Sequence, residues 1–269
     1  MHKRASILLV MTEVPLARRD IIAARLAAGQ AVNAGTLAIE FSVSEDAVRR
    51  DLRALAAAGV CRRVYGGALP LASGVVPLVN RLGTDVERKR ALARAVMPLV
   101  VPGSFLFLDN GSTSLVIAEE LPRDSDLTVA TSSIEIAATL AARRDVPIHM
   151  VGGEVDSVIG GSIGGIALEA VARLNIDTCF LGVCALSAEG GVSAFDAADA
   201  TFKRALVERS RRTLILTANE KIGAHAPHRI AALNSVARVI VEHDADEAEV
   251  DRLRVAGAEI DRAAPGTNF

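Results

Sequence analysis

Apolar positions in the first quarter of the chain fall at helical spacing. Ile21, Ile22 and Leu26 share one face with the Arg25 stem between them, and Gly29 is placed to stop that helix. A second short helix is expected over 34–41, with Leu37, Ala38 and Phe41 on one side. Ser42-Val43-Ser44 then reads as a polar turn around one apolar plug. Ser44 is a good N-cap, and Glu45 and Asp46 stand in the first turn, where the helix dipole favours anions. Ala47, Val48, Leu52 and Leu55 form the buried stripe of the third helix, and Gly59 suits the left-handed position after its end. The run Arg62-Arg63-Val64-Tyr65-Gly66-Gly67 predicts a strand entering a tight turn, a wing beside that helix.

Beyond residue 80 the pattern changes to short apolar runs alternating with helical stretches. Strands are expected at 105–108, 127–130, 148–151, 178–183, 213–216 and 239–241, and helices at 114–121, 134–142, 203–210 and 247–256. Alternation of this kind predicts an α/β domain with a mostly parallel sheet covered on both faces. The expected division is an extension over 1–14, with Met11 as an alternative start, a helical head over 15–68, a Pro- and Gly-bearing linker over 69–80, and the α/β body over 81–269. The opening His2-Lys3-Arg4 and the apolar stretch after it lack the small-residue cleavage site of a secretory signal, and a cytoplasmic protein is expected.

Composition narrows the function classes. With 51% apolar and 23% charged residues the chain is not a disordered one, and no apolar run approaches the roughly 20 residues that span a bilayer. Seven Phe, one Tyr and no Trp argue against a single-strand binder built on base stacking. Cys61, Cys179 and Cys184 form neither a CxxC pair nor a zinc spacing, and read as buried thiols in a reducing compartment. No cofactor or metal site is expected. His225 and His228 stand near each other without a third ligand, and His149, ending an apolar run, reads as a buried or capping residue.

Net charge is −2, but it is unevenly spread. Through Ala68 there are ten basic against six acidic residues, and thereafter 20 basic against 26 acidic. A basic head on an acidic body suits two domains with different partners. Arg49, Arg50 and Arg53 project from the expected third helix opposite its apolar stripe, and Arg62, Arg63 and Tyr65 lie in the wing. A short helix, a turn and an arginine-bearing helix is the arrangement that enters a major groove, with phosphate contacts from the wing and bidentate guanine contacts from the helix. Ser42, Ser44 and Glu45 at the turn complete the candidate DNA-binding set. The plainer alternative is a solvated face in which those arginines pair with Asp46 and Asp51.

In the body, small, hydroxylic or charged residues stand at the ends of four strands. Asp109-Asn110-Gly111-Ser112-Thr113-Ser114 comes after the first, Thr131-Ser132-Ser133 after the second, Gly152-Gly153 after the third, and Thr217 to Lys221 after the 213 strand. Ligands of open α/β sheets bind outside the carboxyl ends of the strands, and a Gly-Ser-Thr-Ser loop entering a helix offers free amides to a phosphate. Asp109 is placed to accept from sugar hydroxyls and Lys221 to add a positive charge.

The run VSEDAVRRDLRALAAAGVCRRVYGGA, Val43 through Ala68, closely resembles the winged helix-turn-helix of the DeoR family of bacterial transcriptional regulators, with Ala47-Val48 where that family often has Thr-Ile. The resemblance continues through nearly the whole chain after Pro15. Asp109-x-Gly111-Ser112-Thr113, Gly152-Gly153, Gly164, Asp177, Phe180-x-Gly182, Gly191-Val192-Ser193 and Lys221-Ile222-Gly223 fall in the family's order, and Lys89 matches the lysine that opens its sensor domain. It implies an N-terminal winged helix-turn-helix, an α/β sensor of the sugar-phosphate isomerase and CoA-transferase group of folds, and a phosphorylated sugar as effector. The implied effector residues are Lys89, Asp109, Gly111, Ser112, Thr113, Ser114, Thr131, Ser132, Gly152, Gly153 and Lys221. The chain departs from the family at Ser132, where Asn is usual, at Ala218, usually acidic, and at Arg88, usually Glu.

The expected function is therefore a sequence-specific regulator, a repressor of a carbohydrate operon, acting as a homodimer or tetramer on paired half-sites. The alternatives are a sugar-phosphate isomerase or hydrolase fused to a basic head, and a body that serves only oligomerisation. No catalytic residue is expected: Asp109 is one carboxylate, and an isomerase needs a well-placed general base.

Overall fold

A computed structural model describes residues 15–27, 30, 32–70 and 76–265 and divides the chain into two compact units, Met1–Leu71 and Ala72–Phe269. The first unit contains α1 (Pro15–Ala27), β1 (Val32–Asn33), α2 (Ala34–Glu40), α3 (Glu45–Ala57), β2 (Cys61–Val64) and β3 (Gly67–Pro70). Strand β3 lies between β1 and β2, antiparallel to both. Gly29, expected to stop the first helix, lies outside the described residues. The three helices and the wing stand where the pattern placed them. Strand β1 was not expected, because two residues carry no periodicity; it is fixed by Gly67, whose position admits no side chain, since a Cβ there would lie 2.0 Å from the Val32 carbonyl oxygen.

Local signals in α3 act as read. Ser44 Oγ accepts from the Ala47 amide at 3.3 Å. At the other end Val60 N donates to Leu55 O and Gly59 N to Ala56 O, with Gly59 at φ +70°, the paired bonds that close a helix through a left-handed residue. Ile22, Leu26, Leu37, Val48, Leu52, Leu55, Cys61 and Ala68 make the core.

The second unit opens with α4 (Leu78–Arg81) and α5 (Val86–Val96). With β3 running through Pro70, both ends of the 69–80 stretch are folded, and 71–75 lie outside the described residues. There follow β4 (Phe105–Leu108), α6 (Ser112–Glu120), β5 (Thr128–Thr131), α7 (Ile134–Arg143), β6 (Ile148–Met150), a small hairpin of β7 (Val155–Asp156) and β8 (Gly161–Ser162), and α8 (Gly165–Ala172). The rest comprises β9 (Ile176–Leu181), β10 (Ala185–Ser187), β11 (Gly191–Ala194), α9 (Ala197–Arg209), β12 (Ser210–Thr217), β13 (His228–Ala231), β14 (Arg238–Val241), α10 (Glu247–Val255) and β15 (Ile260–Arg262). Seven strands form one parallel sheet in the order β15-β14-β12-β9-β4-β5-β6, and β10, β11 and β13 form a small antiparallel one.

Successive residues of the central strands feed opposite cores, which is why these strands read as unbroken apolar runs. Phe107, Cys179, Ile215 and Val239 pack under α8, α9 and α10, while Leu106, Leu108, Phe180, Leu214 and Ile240 pack under α5, α6 and α7. Each such side chain contributes about 1.5–3 kcal/mol by leaving water. His149 is corrected: it sits on the sheet's edge strand, exposed, with its ring edge-on to Phe105 at 5.6 Å. An edge strand has no neighbouring strand along its outer side, so ending an apolar run did not bury it.

Strand order places a crevice at one point of the sheet. From β4 the chain steps outward to β5 and β6; from β9 it steps the other way to β12, β14 and β15. The order therefore reverses between β4 and β9, and the loops after those two strands part to leave an opening.

Candidate functional site

In the first unit α3 is two-faced. Val48, Asp51, Leu52 and Leu55 are buried, whereas Glu45, Asp46, Arg49, Arg50 and Arg53 are exposed. The left-handed Ser42 (φ +52°) and the cap Ser44 present the start of the helix to solvent. Arg63 is exposed in the wing, and Tyr65 at its tip is fully exposed. The side chain of Arg62 lies outside the described residues.

Among the described residues Arg49, Arg50 and Arg53 make no ion pair with Asp46 or Asp51. Asp51 turns inward, where Arg18 Nε donates to it at 2.7 Å and Arg19 approaches at 3.3 Å. Arg49 pairs with Glu45 at 2.7 Å one turn earlier. Arg50 and Arg53 have no ion pair among the described residues, leaving two free cations on an exposed helix face. Positions 48, 51, 52 and 55 are helix-spaced, a signal that could have put Asp51 on the core side.

In the second unit a cavity of about 550 Å³ opens at the reversal between β4 and β9. The loop after β4 supplies Asn110, Gly111, Ser112, Thr113 and Ser114, the loop after β9 supplies Gly182, Val183 and Cys184, and the turn after β12 brings Glu220 and Lys221. Gly111 holds φ +154° and ψ +155°, a region open essentially only to glycine, and so lets α6 begin at the cavity wall that Gly111, Ser112, Thr113 and Ser114 line. The amides of Ser112, Thr113 and Ser114 precede the first helical bond, Leu115 N to Gly111 O, and with the helix dipole they make an end chemically suited to an anion.

Beneath the cavity lies a charge cluster. Asp109 is fully buried, accepts from Gly182 N at 2.9 Å, and lies 3.7 Å from Lys203 Nζ. Burial raises its carboxyl to about 6, with Lys203 opposing. Lys203 Nζ donates to Asp199 at 2.7 Å; burial works against its charge, but Asp199 and Asp109 hold it protonated. Asp109 Oδ1 and Asp199 Oδ1 are buried without a hydrogen-bond partner. Lys221 donates to the Val183 carbonyl at 2.9 Å, and burial followed by repulsion from Arg81 brings its ammonium down to about 8.

Of the expected effector residues, Gly111, Ser112, Thr113, Ser114 and Lys221 line this cavity, and Asp109 supports its floor. The others serve elsewhere. Thr131 donates to Leu108 O and accepts from Ser133 N, and Ser132 Oγ accepts from Asn110 Nδ2 at 3.0 Å, so this pair braces the β4 loop. Gly152 and Gly153 follow β6, two strands away from β4, and are solvent-exposed. Lys89 turns to the carbonyls of Arg81 and Thr84. Cys184 is corrected from a buried thiol to a cavity-lining one.

Sequence reasoning missed Arg81, Asp199 and Lys203, and named Asn110 only as part of the loop after the first strand. Asp196 caps α9, and the Asp199–Lys203 pair at i,i+4 was available as a signal, but the helix was expected to start only at 203. Two departures from the family pattern lie close together. Arg88 grips Glu242 through Nε (2.7 Å) and Nη2 (2.5 Å) and reaches Glu220 at 3.2 Å, tying α5 to the ends of β12 and β14 beside Ala218. Among the described residues no group of three or more His, Cys, Asp or Glu is placed to hold a metal, and no helix is long and apolar enough to cross a membrane.

Comparison with known proteins decides the family. Residues 18–73 match the DeoR-like helix-turn-helix domain, and 84–243 match the DeoR C terminal sensor domain. The chain belongs to the DeoR family of transcriptional regulators. It is 33% identical over 212 residues to the glycerol-3-phosphate regulon repressor of Escherichia coli K12, covering 78% of this chain and 84% of that one. It is 27% identical over 232 residues to the HTH-type transcriptional regulator GlpR of Haloferax volcanii, covering 84% and 89%. Among solved structures it is similar to ribose 5-phosphate isomerase A from Neisseria gonorrhoeae, at 16% identity and a TM-score of 0.37, over 52% of this chain and 55% of that one.

Proposed function

We propose that this regulator is a cytoplasmic repressor of a carbohydrate or polyol operon, that it binds its operator as a homo-oligomer, and that a phosphorylated sugar bound at the β4–β9 crevice releases it. The observation that carries the reading is the cavity itself, where the amide-bearing start of α6 and the Lys221 ammonium meet one opening at the carboxyl ends of parallel strands. Amides, hydroxyls and a cation suit a phosphate, and Asn110 with the carboxylates of Asp199 and Asp196 suits hydroxyls. DNA contact is assigned to Ser42, Ser44, Glu45, Arg49, Arg50, Arg53, Arg62, Arg63 and Tyr65. One short recognition helix binds weakly alone, which supports paired half-sites.

An enzymatic reading is not favoured. The best general base, Asp109, is occupied by the Gly182 amide and faces Lys203 from full burial, out of reach of a substrate proton.

The test is binding of the full chain to DNA upstream of its own gene at one fixed salt concentration, with and without a panel of sugar phosphates. Specific binding released by one of them is expected. Specific binding that none alters would remove the effector reading, and turnover of a sugar phosphate without specific binding would restore the enzyme.

A further inference from the structure

The three cysteines stand in different surroundings. Cys61 and Cys179 are buried in the apolar cores of the two units, and burial pushes both thiols above their ordinary range. Thiols held that way are inert, because the thiolate is the nucleophile and needs access to its target. Cys184, in the loop after β9, is only partly buried and lines the cavity.

The charges around Cys184 are mostly positive. Lys221 Nζ donates to the carbonyl of Val183, the preceding residue, and the fields of Lys221, Arg81 and Lys203 all reach the Cys184 sulfur. Arg81 lines the same cavity and makes no ion pair among the described residues. The neighbouring acids are already engaged, Asp199 and Asp109 by Lys203 and Glu220 by Arg88. A partly exposed sulfur among cations is the environment in which cysteines react.

Independently of this thiol, the cavity offers acceptors to a small hydroxylic molecule. Asn110 is 6% and Asp199 5% exposed, both line it, and each holds an Oδ1 with no hydrogen-bond partner. Buried acceptors in a native fold are ordinarily satisfied, and a bound O–H donor would satisfy these.

We propose that Cys184 is a modification site, oxidised by a hydroperoxide to a sulfenic acid, and that the oxidised side chain obstructs the effector. The second half rests on the effector reading above. The thiol gives its proton to solvent, and the sulfur attacks one peroxide oxygen. The S–O bond forms as the O–O bond breaks, so sulfur loses two electrons and the peroxide gains them. The departing hydroxide takes a proton from Lys221 and leaves as water, and the lysine recovers its proton from solvent. With its ammonium at about 8, Lys221 is a competent acid near neutral pH. The surrounding cations stabilise the charge that passes from sulfur to the departing oxygen. The product keeps one added oxygen inside the cavity, and a thiol reductant removes it.

The experiment exposes the full chain to hydrogen peroxide, traps sulfenic acid with dimedone and locates the adduct by mass spectrometry. Wild type, Cys184→Ser and Lys221→Met are compared. Thermal unfolding of wild type and Cys184→Ser, with inorganic phosphate and glycerol 3-phosphate as probes, is measured before and after oxidation. The Cys184 adduct is expected to form at least about tenfold faster than adducts at Cys61 or Cys179, the factor that one unit of thiol ionisation supplies. Lys221→Met is expected to slow it several-fold. Oxidised wild type is expected to lose most of the phosphate-dependent rise in Tm and regain it with reductant, while Cys184→Ser keeps the rise throughout. A Cys184 adduct no faster than those of the buried pair, or equally fast in Lys221→Met, overturns the proposal. So does rapid oxidation of Cys184 that leaves the phosphate response unchanged. A reduced wild type that responds to neither phosphate overturns the effector reading and the obstruction with it, whereas the adduct rates judge the modification site separately.

Discussion

Replacing Asp51 by Ala tests the view that this residue of the recognition helix serves the fold and not the DNA. Its carboxylate is 5% exposed, with Arg18 Nε at 2.7 Å and Nη2 at 2.6 Å on one oxygen and Arg19 at 3.3 Å on the other. Truncation leaves the Arg18 guanidinium, 10% exposed, buried without its anion, and breaking a buried pair from one side costs about 3–5 kcal/mol. At roughly 0.05–0.15 kcal/mol per residue, a unit of this size has on the order of 3–8 kcal/mol in total. Asp51→Ala is therefore expected to unfold the DNA-binding unit wholly or nearly so, leaving the sensor unit intact. The assay is amide hydrogen exchange on the full chain, read separately over 18–55 and 105–241. Protection is expected to collapse in the first range only. The double variant Arg18→Leu/Asp51→Leu, which removes both charges, is expected to recover much of it. Asp51→Ala with protection over 18–55 within about 1 kcal/mol of wild type would refute the reasoning, because a loss that small belongs to a solvated pair.

Arg53→Ala is expected to leave unfolding unchanged and weaken operator binding; a uniform loss with a salt slope shallower by about one marks a phosphate contact, and a loss of about 1–3 kcal/mol confined to the specific site marks a base contact. Lys203→Met is expected to destabilise the sensor unit by about 3–5 kcal/mol by leaving Asp109 and Asp199 buried without their cation, while Asp109→Asn, which still accepts from Gly182, stays within about 1 kcal/mol; equal effects in urea unfolding would contradict the cluster's geometry. Lys221 keeps its proton below about pH 8 and loses it above, so Kd for a sugar phosphate is expected to hold below that pH and then rise toward the one-proton limit of about tenfold per pH unit, a slope absent in Lys221→Met. Gly67→Ala forces a methyl onto the Val32 carbonyl and is expected to destabilise the wing by about 1–3 kcal/mol, seen as faster exchange in 61–70.

Local features of this chain are determined by neighbours a few residues apart, and the sequence alone carries them. The Ser44 cap, the Gly59 turn, the apolar stripe of α3 and the unbroken apolar runs of β4, β9 and β12 each follow from steric and hydrogen-bonding rules that act within one helical turn or one strand. So does the Gly111 loop, whose backbone only glycine adopts. No stretch of sequence contains the order of strands in the sheet. Four strand ends carried suitable residues, yet the reversal between β4 and β9 decides that the loops after β4, β9 and β12 meet at the cavity, while Gly152 and Gly153 after β6 are carried away to the edge. Burial is settled at the same level. It turned Asp51 inward to Arg18, set Thr131 and Ser132 to bracing a loop, bent Lys89 back onto a strap, and left Arg81 facing a cavity without an acid, because each depends on which distant segment packs alongside.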